Sequence, residues 1–178
     1  MKQISLLIIT TLISCSPTEV EFEYPDCIDR PSEIISSFGC GNVFLYQFLD
    51  NRKAVVVTID ATNIKLSKEC QSISLENGND HISVTLETAG TSLDSIYFNY
   101  CNDVVYINQG KLKIYKGTKG VVSFSVSEDN PIKDPIWQSN YRITVEIHDL
   151  YFYDNSGILK MVIDKIVFWD VGVGWMPG

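Results

Sequence analysis

The chain has 178 residues, 45% of them hydrophobic, with 14 Lys and Arg against 22 Asp and Glu, a formal charge of −8. That length suits one domain of ordinary size behind a short leader. The acidic balance argues against nucleic-acid binding, which needs basic clusters to neutralise phosphate, and against charge-driven docking on anionic lipid.

The first element in chain order is a leader. Lys2 supplies one positive charge and Ile4 to Ile13 is a short apolar run. Such a run of ~7–15 residues behind a basic start reads as a secretory signal. A membrane span would need ~20 apolar residues, and Ser16, Pro17 and Glu19 follow too soon.

The run closes in Leu12-Ile13-Ser14-Cys15, which resembles the lipobox of bacterial lipoproteins. The resemblance covers the first 15 residues. It implies cleavage before Cys15 and lipidation of Cys15 on its sulfur and new amino group, with palmitate among the acyl groups. A multiply acylated cysteine is a stable anchor without a transmembrane helix, because each buried methylene contributes ~0.8 kcal/mol. Residues 1–14 are thus expected as signal peptide, 15–26 as lipidated cysteine and tether, and 27–178 as one folded domain. Loss of residues 1–14 removes Lys2 and leaves a charge of 13 − 22 = −9. Glu19, Glu21 and Glu23 give the tether a solvated, acidic character. The segment is similar to the acidic leader of surface lipoproteins in Bacteroidetes-type bacteria, which implies the outer membrane of the cell envelope, facing periplasm or exterior.

Four cysteines follow the anchor: Cys27, Cys40, Cys70 and Cys101. An even number in an exported chain predicts two disulfides, with three connectivities open. There is no CxxC pair and only His81 and His148 are present, so neither a zinc site nor a catalytic cysteine is expected.

Pro31 to Phe38 predicts a short helix, with Pro31 at its first position and Gly39 as its stop. Val43–Leu49 and Ala54–Ile59 are β-friendly runs around a turn at Asp50–Lys53. Period-2 alternation then marks half-buried strands at Ile64/Leu66, Ile73/Leu75 and Ile82/Val84/Leu86, with the turn signal Asn77-Gly78 ahead of the last. Ser95–Tyr100, Val104–Asn108 and Lys111–Tyr115 are further short strands, and Gly117–Gly120 is expected to turn the chain. Val122, Phe124 and Val126 alternate with serines. Pro131 and Pro135 mark a loop. Tyr141, Ile143, Val145 and Ile147 form one apolar face, and Leu150 and Phe152 then shift parity. That one-residue slip predicts a β-bulge near His148-Asp149. Asp154–Gly157 is a turn and Leu159–Trp169 a last long strand. About ten strands and at most one short helix predict an all-β antiparallel sandwich, jelly-roll or Ig-like.

GxSxG, HExxH, phosphate-loop and dinucleotide patterns are absent from the sequence, and no catalytic residue, metal or cofactor is assigned. Asp149, Asp154 and Asn155, or Glu76, Asn79 and Asp80, carry oxygens suited to calcium, but turn chemistry explains the same residue types. Trp137, in the proline-bracketed loop, and Tyr141 are the candidates for a sugar-stacking face. Trp169 and Trp175 are further candidates for that face, with Trp175, near the C-terminus, better placed to plug the end of the sandwich. Asp94-Ser95-Ile96 resembles the short O-glycosylation motif of some Bacteroidetes-type exported proteins, with Ser95 as acceptor. The expected activity is a non-catalytic binding or accessory module whose partners are membrane lipid, through Cys15, and a glycan or another envelope protein. The alternatives are a structural surface lipoprotein and a hydrolase on a jelly-roll-like sandwich, which needs two carboxylates in a cleft.

Overall fold

A computed structural model describes residues 28–77, 80–89, 100–101, 112–132 and 139–174. Cys15, Cys27, Ser95, Trp137 and the strands expected at 95–100 and 104–108 lie outside the described residues, apart from Tyr100. Eight strands are present among the described residues: β1 (Ser37–Cys40), β2 (Phe44–Asp50), β3 (Lys53–Ile59), β4 (Gln71–Ser74), β5 (Ile82–Thr88), β6 (Lys113–Val126), β7 (Asn140–Tyr153) and β8 (Leu159–Gly174). A single 3-10 turn, Leu75–Asn77, follows β4.

All the strands belong to one antiparallel sheet in the order β1-β2-β3-β5-β6-β7-β8, with β4 paired to β6 off that path. The two ends of the order meet. Gly41 and Gly174 form a bridge, with the Gly174 amide donating to the Gly41 carbonyl at 2.7 Å. The sheet is therefore nearly closed into a barrel. This corrects the two-sheet sandwich expected from the short strands. The physical reason lies in β6, β7 and β8, of 14, 14 and 16 residues. Each stays continuous and bends through bulges, so one sheet curls where a sandwich would break into two.

The bends are placed by particular residues. Gly117–Gly120 is part of β6 and does not turn the chain. The β6–β7 register shifts between Gly117 and Lys119 and again between Lys119 and Val121. Gly120 has φ +131, and a Cβ there would lie 2.8 Å from the His148 carbonyl oxygen, so only glycine fits the close approach. Opposite it, Lys119 pairs with Tyr151 and Val121 with His148. Two steps on β6 thus face three on β7, with Asp149 at φ 51, the bulge that the parity change predicts. Either side of the kink, β6 offers one edge to two partners: Lys113–Lys116 to β5 and Val121–Phe124 to β4.

Residues 31–38 form no helix. The chain runs irregularly to Ser37, which pairs with Gln47. Eight residues gain too little from an isolated helix to offset its nucleation, whereas Ser37–Cys40 gains four cross-strand partners on β2. Ile64 and Leu66, expected on a strand, lie in a loop but are buried all the same.

The core fills the barrel. Leu45, Val55, Val57, Val84, Val122, Phe124, Ile143, Val145, Ile147, Leu150, Phe152 and Phe168 are all fully buried or nearly so. Side chains thus occupy the interior, as expected for a small barrel. Cys40 and Cys101 form a disulfide across 61 residues. Cys70 is also disulfide-bonded.

Candidate functional site

The residues of β2, Phe-Leu-Tyr-Gln-Phe, alternate in direction. Leu45 points inward and is fully buried, so Phe44, Tyr46 and Phe48 share the outer face. On the neighbouring strand Phe38 stands in direct register with Tyr46, and the two rings stack with centroids 5.2 Å apart at 22°. Along β2 the rings of Phe44 and Tyr46 lie 6.3 Å apart, and those of Tyr46 and Phe48 5.7 Å apart, edge to face.

A fifth ring comes from a distant part of the chain. Tyr100 precedes Cys101, which the disulfide ties to Cys40 at the end of β1. Its ring lies 4.7 Å from Tyr46 and 5.5 Å from Phe44. Its hydroxyl donates to Glu87 Oε2 at 2.5 Å. Glu87 is on β5, so Tyr100 spans β3, whose outward residues Ala54 and Val56 are buried. Ala54 pairs with both Phe48 and Glu87. Burial raises the Tyr100 pKa, and the bond to the Glu87 carboxylate raises it further. The phenol stays protonated and acts as a donor. Burial likewise raises the Tyr46 pKa.

The result is a platform of five rings on the outside of the barrel. Each pair adds about 0.5–1.5 kcal/mol beyond its buried area. The platform is not sealed, since Phe38 is 46% and Phe48 38% exposed. Flat apolar ring faces beside the Tyr46 hydroxyl and the Glu87 carboxylate can stack a ligand ring and bond its hydroxyl groups.

Tyr141, expected on a sugar-binding surface, is instead 3% exposed within the core. Its hydroxyl donates to the Asn42 carbonyl, and burial raises its pKa. It occupies the inward parity of β7 beside Ile143 and Val145, which is the reason it packs. Trp169 lies on β8, where it has an interaction partner.

The polar candidates resolve into turns and an ion-pair cluster. Asp154 Oδ1 accepts from the Ser156 and Ile158 amides, both at 2.9 Å, and Oδ2 pairs with Lys160 at 2.8 Å. Asp60 accepts from the Thr62 hydroxyl and the Asn63 amide, both at 2.6 Å, which holds its pKa down to about 2. On the outer face of β7, Glu146 bridges His148 Nε2 at 2.5 Å and Lys165 Nζ at 2.6 Å. Oε1 is hydrogen-bonded to the histidine, while Oε2 faces the lysine as an ion pair without an aligned hydrogen bond. No group of three His, Cys, Asp or Glu side chains able to hold a metal is found among the described residues.

The aromatic face was hidden in the sequence. Leu45 stands between its rings and Leu49 follows them, so the run reads as apolar on both faces, and Tyr100 is brought in by the disulfide. The usable signal was the aromatic residue at every second position, 44, 46 and 48. Comparison with family models, curated proteins and solved structures finds no match.

Proposed function

We propose that the chain is a lipid-anchored, non-catalytic binding module of a bacterial envelope, held at the outer membrane through Cys15, which takes carbohydrate on its aromatic face. The observation that carries the ligand class is the ring platform of Phe38, Phe44, Tyr46, Phe48 and Tyr100, open to solvent at Phe38 and Phe48. Sugar rings present flat C–H faces that stack on such rings and hydroxyl groups that bond to Tyr46 and Glu87. The protein's negative charge favours neutral over anionic glycans.

A glycan array tests this. A neutral glycan is expected to bind, and Phe38→Ala and Phe48→Ala are each expected to weaken it about 2- to 12-fold, the range for loss of one ring contact. An array with no binder would overturn the ligand class. The anchor is tested separately: cells fed labelled palmitate should label the wild type and leave Cys15→Ser unlabelled. Docking on another envelope protein is the second reading, favoured by the exposed Ile34, Ile35 and Leu49. A pull-down of one specific partner, lost on Ile35→Ser but kept by Phe38→Ala, would support it.

A further inference from the structure

One covalent bond fixes part of the aromatic face. Of its five rings, Phe38 stands on β1 and Phe44, Tyr46 and Phe48 on β2, all placed by the register of those strands. Tyr100 is on neither strand. It is brought to the face by Cys101, whose disulfide to Cys40 spans 61 residues. Both halves of that bond adjoin the site: Cys40 stands in register with Phe44, and Cys101 follows Tyr100 in the chain. The Tyr46 ring is therefore held by two others, Phe38 at 5.2 Å and Tyr100 at 4.7 Å.

That bond is open to attack. Cys101 is exposed and Cys40 half-buried, and exposed disulfides are the labile, regulatory class. Cys101 also has φ 56, a left-handed backbone that a residue with a Cβ adopts at a cost. Opening the cross-link frees Cys101 to leave it. The barrel wall does not need the bond to stay paired. β1 keeps its four partners on β2, and Gly41 keeps its bridge to Gly174. Cys70 belongs to a different disulfide.

We propose that the Cys40–Cys101 disulfide is a redox switch for the aromatic face, a role that rests on the carbohydrate reading of that face. Oxidised, the bond holds Tyr100 in the platform and glycan binds; reduced, Tyr100 leaves and binding weakens. The reductant is a dithiol. One of its thiolates attacks the Cys101 sulfur and breaks the S–S bond, and Cys40 leaves as a thiolate that takes up a proton. The second thiol of the reductant, as thiolate, attacks the mixed disulfide. Cys101 leaves and is protonated, and the reductant ends as its own disulfide. Two electrons and two protons pass to the protein. Affinity falls because Tyr46 loses one of the two rings that hold it, so a ligand must order the face as it binds.

The test runs the array of neutral glycans with the full chain carrying Cys15→Ser, oxidised or treated with dithiothreitol. After treatment, iodoacetamide labelling read by mass spectrometry is expected to reach Cys40 and Cys101. Glycans retained by the oxidised protein are expected to bind the reduced one about 2- to 12-fold more weakly, the scale of one ring contact, with the far-ultraviolet circular dichroism unchanged. Cys40→Ser/Cys101→Ser is expected to bind as weakly without dithiothreitol. Tyr100→Ala, with the disulfide intact, is expected to bind weakly and equally in both redox states. Equal glycan binding before and after labelling of Cys40 and Cys101 would overturn the switch and leave the carbohydrate reading standing, whereas an array with no binder overturns both. A bond that stays closed in dithiothreitol, or a barrel that unfolds on reduction, also overturns the switch. Should the double cysteine variant not fold, the reduced protein and Tyr100→Ala still decide.

Discussion

Glu146 faces outward from β7, yet its side chain is only 8% exposed. Burial pushes its pKa up, but the bonds and charges of Lys165 and His148 together outweigh this, and the net shift is downward. A carboxylate whose folded pKa is depressed adds stability that is fully present above its unfolded pKa, ~4.3, and is lost as pH falls through the folded value. Unfolding free energy measured in urea should therefore fall on acidification below about pH 4, and Glu146→Gln should flatten part of that fall while lowering stability at pH 7. An unchanged acid limb in Glu146→Gln would remove this role. Gly39 acts through size. A Cβ there would meet Leu45 Cδ2, Val171 Cγ1 and Val173 Cγ1, each at 2.9 Å, so its missing side chain is what lets β1 approach β8. Gly39→Ala should cost about 1–3 kcal/mol by overpacking, read from the same urea curves, and should weaken hydrogen-exchange protection of the Gly174 amide.

Among the elements, those with strict alternation were legible in advance. β5, the second half of β6 and the first half of β7 each show a clean period of two in sequence; the apolar parity is buried in all three, while Ser125, Thr144 and Glu146 on the other parity of β6 and β7 are buried as well. The bulge was legible as well, because Leu150 and Phe152 could reach the core only after a slip at His148-Asp149. The glycines of β6 misled: Gly117 and Gly120 look like a turn, but they serve a kink within one strand whose two halves find different partners. The helix expected at residues 31–38 failed because cross-strand pairing of β1 outweighs weak local propensity. The Cys40–Cys101 disulfide settles one pair among the three connectivities and holds the end of β1 to the segment bearing Tyr100. Closing a 61-residue span is worth about 4 kcal/mol on the chain-entropy account. Replacing both cysteines by alanine should lower the unfolding free energy by roughly that amount. It should also release Tyr100 from the ring platform, visible as a shift in near-ultraviolet circular dichroism.

For the whole molecule, the all-β antiparallel class followed from composition and period, whereas closure did not. Closure depends on where the first and last strands end, on a glycine bridge, and on bends that single residues create. None of these leaves a periodic trace. The candidate face was equally hidden, because its rings come from β1, β2 and a distant disulfide-bonded segment. Tyr141 shows the converse: an aromatic at the inward parity of a strand belongs to the core, and its phase beside Ile143 and Val145 already said so.

The order of strands in the sheet has a consequence for how the molecule comes into being. Apart from β4, each strand lies beside the one made just before it, so a chain synthesised from its N-terminus can lay down the wall step by step. The bridge between Gly41 and Gly174 must wait for the last strand. Until then the lengthening sheet carries an unpaired growing margin, the state in which strand proteins are most prone to stick to one another. The short β1, waiting longest for its neighbour, has only four residues of backbone to offer a stranger.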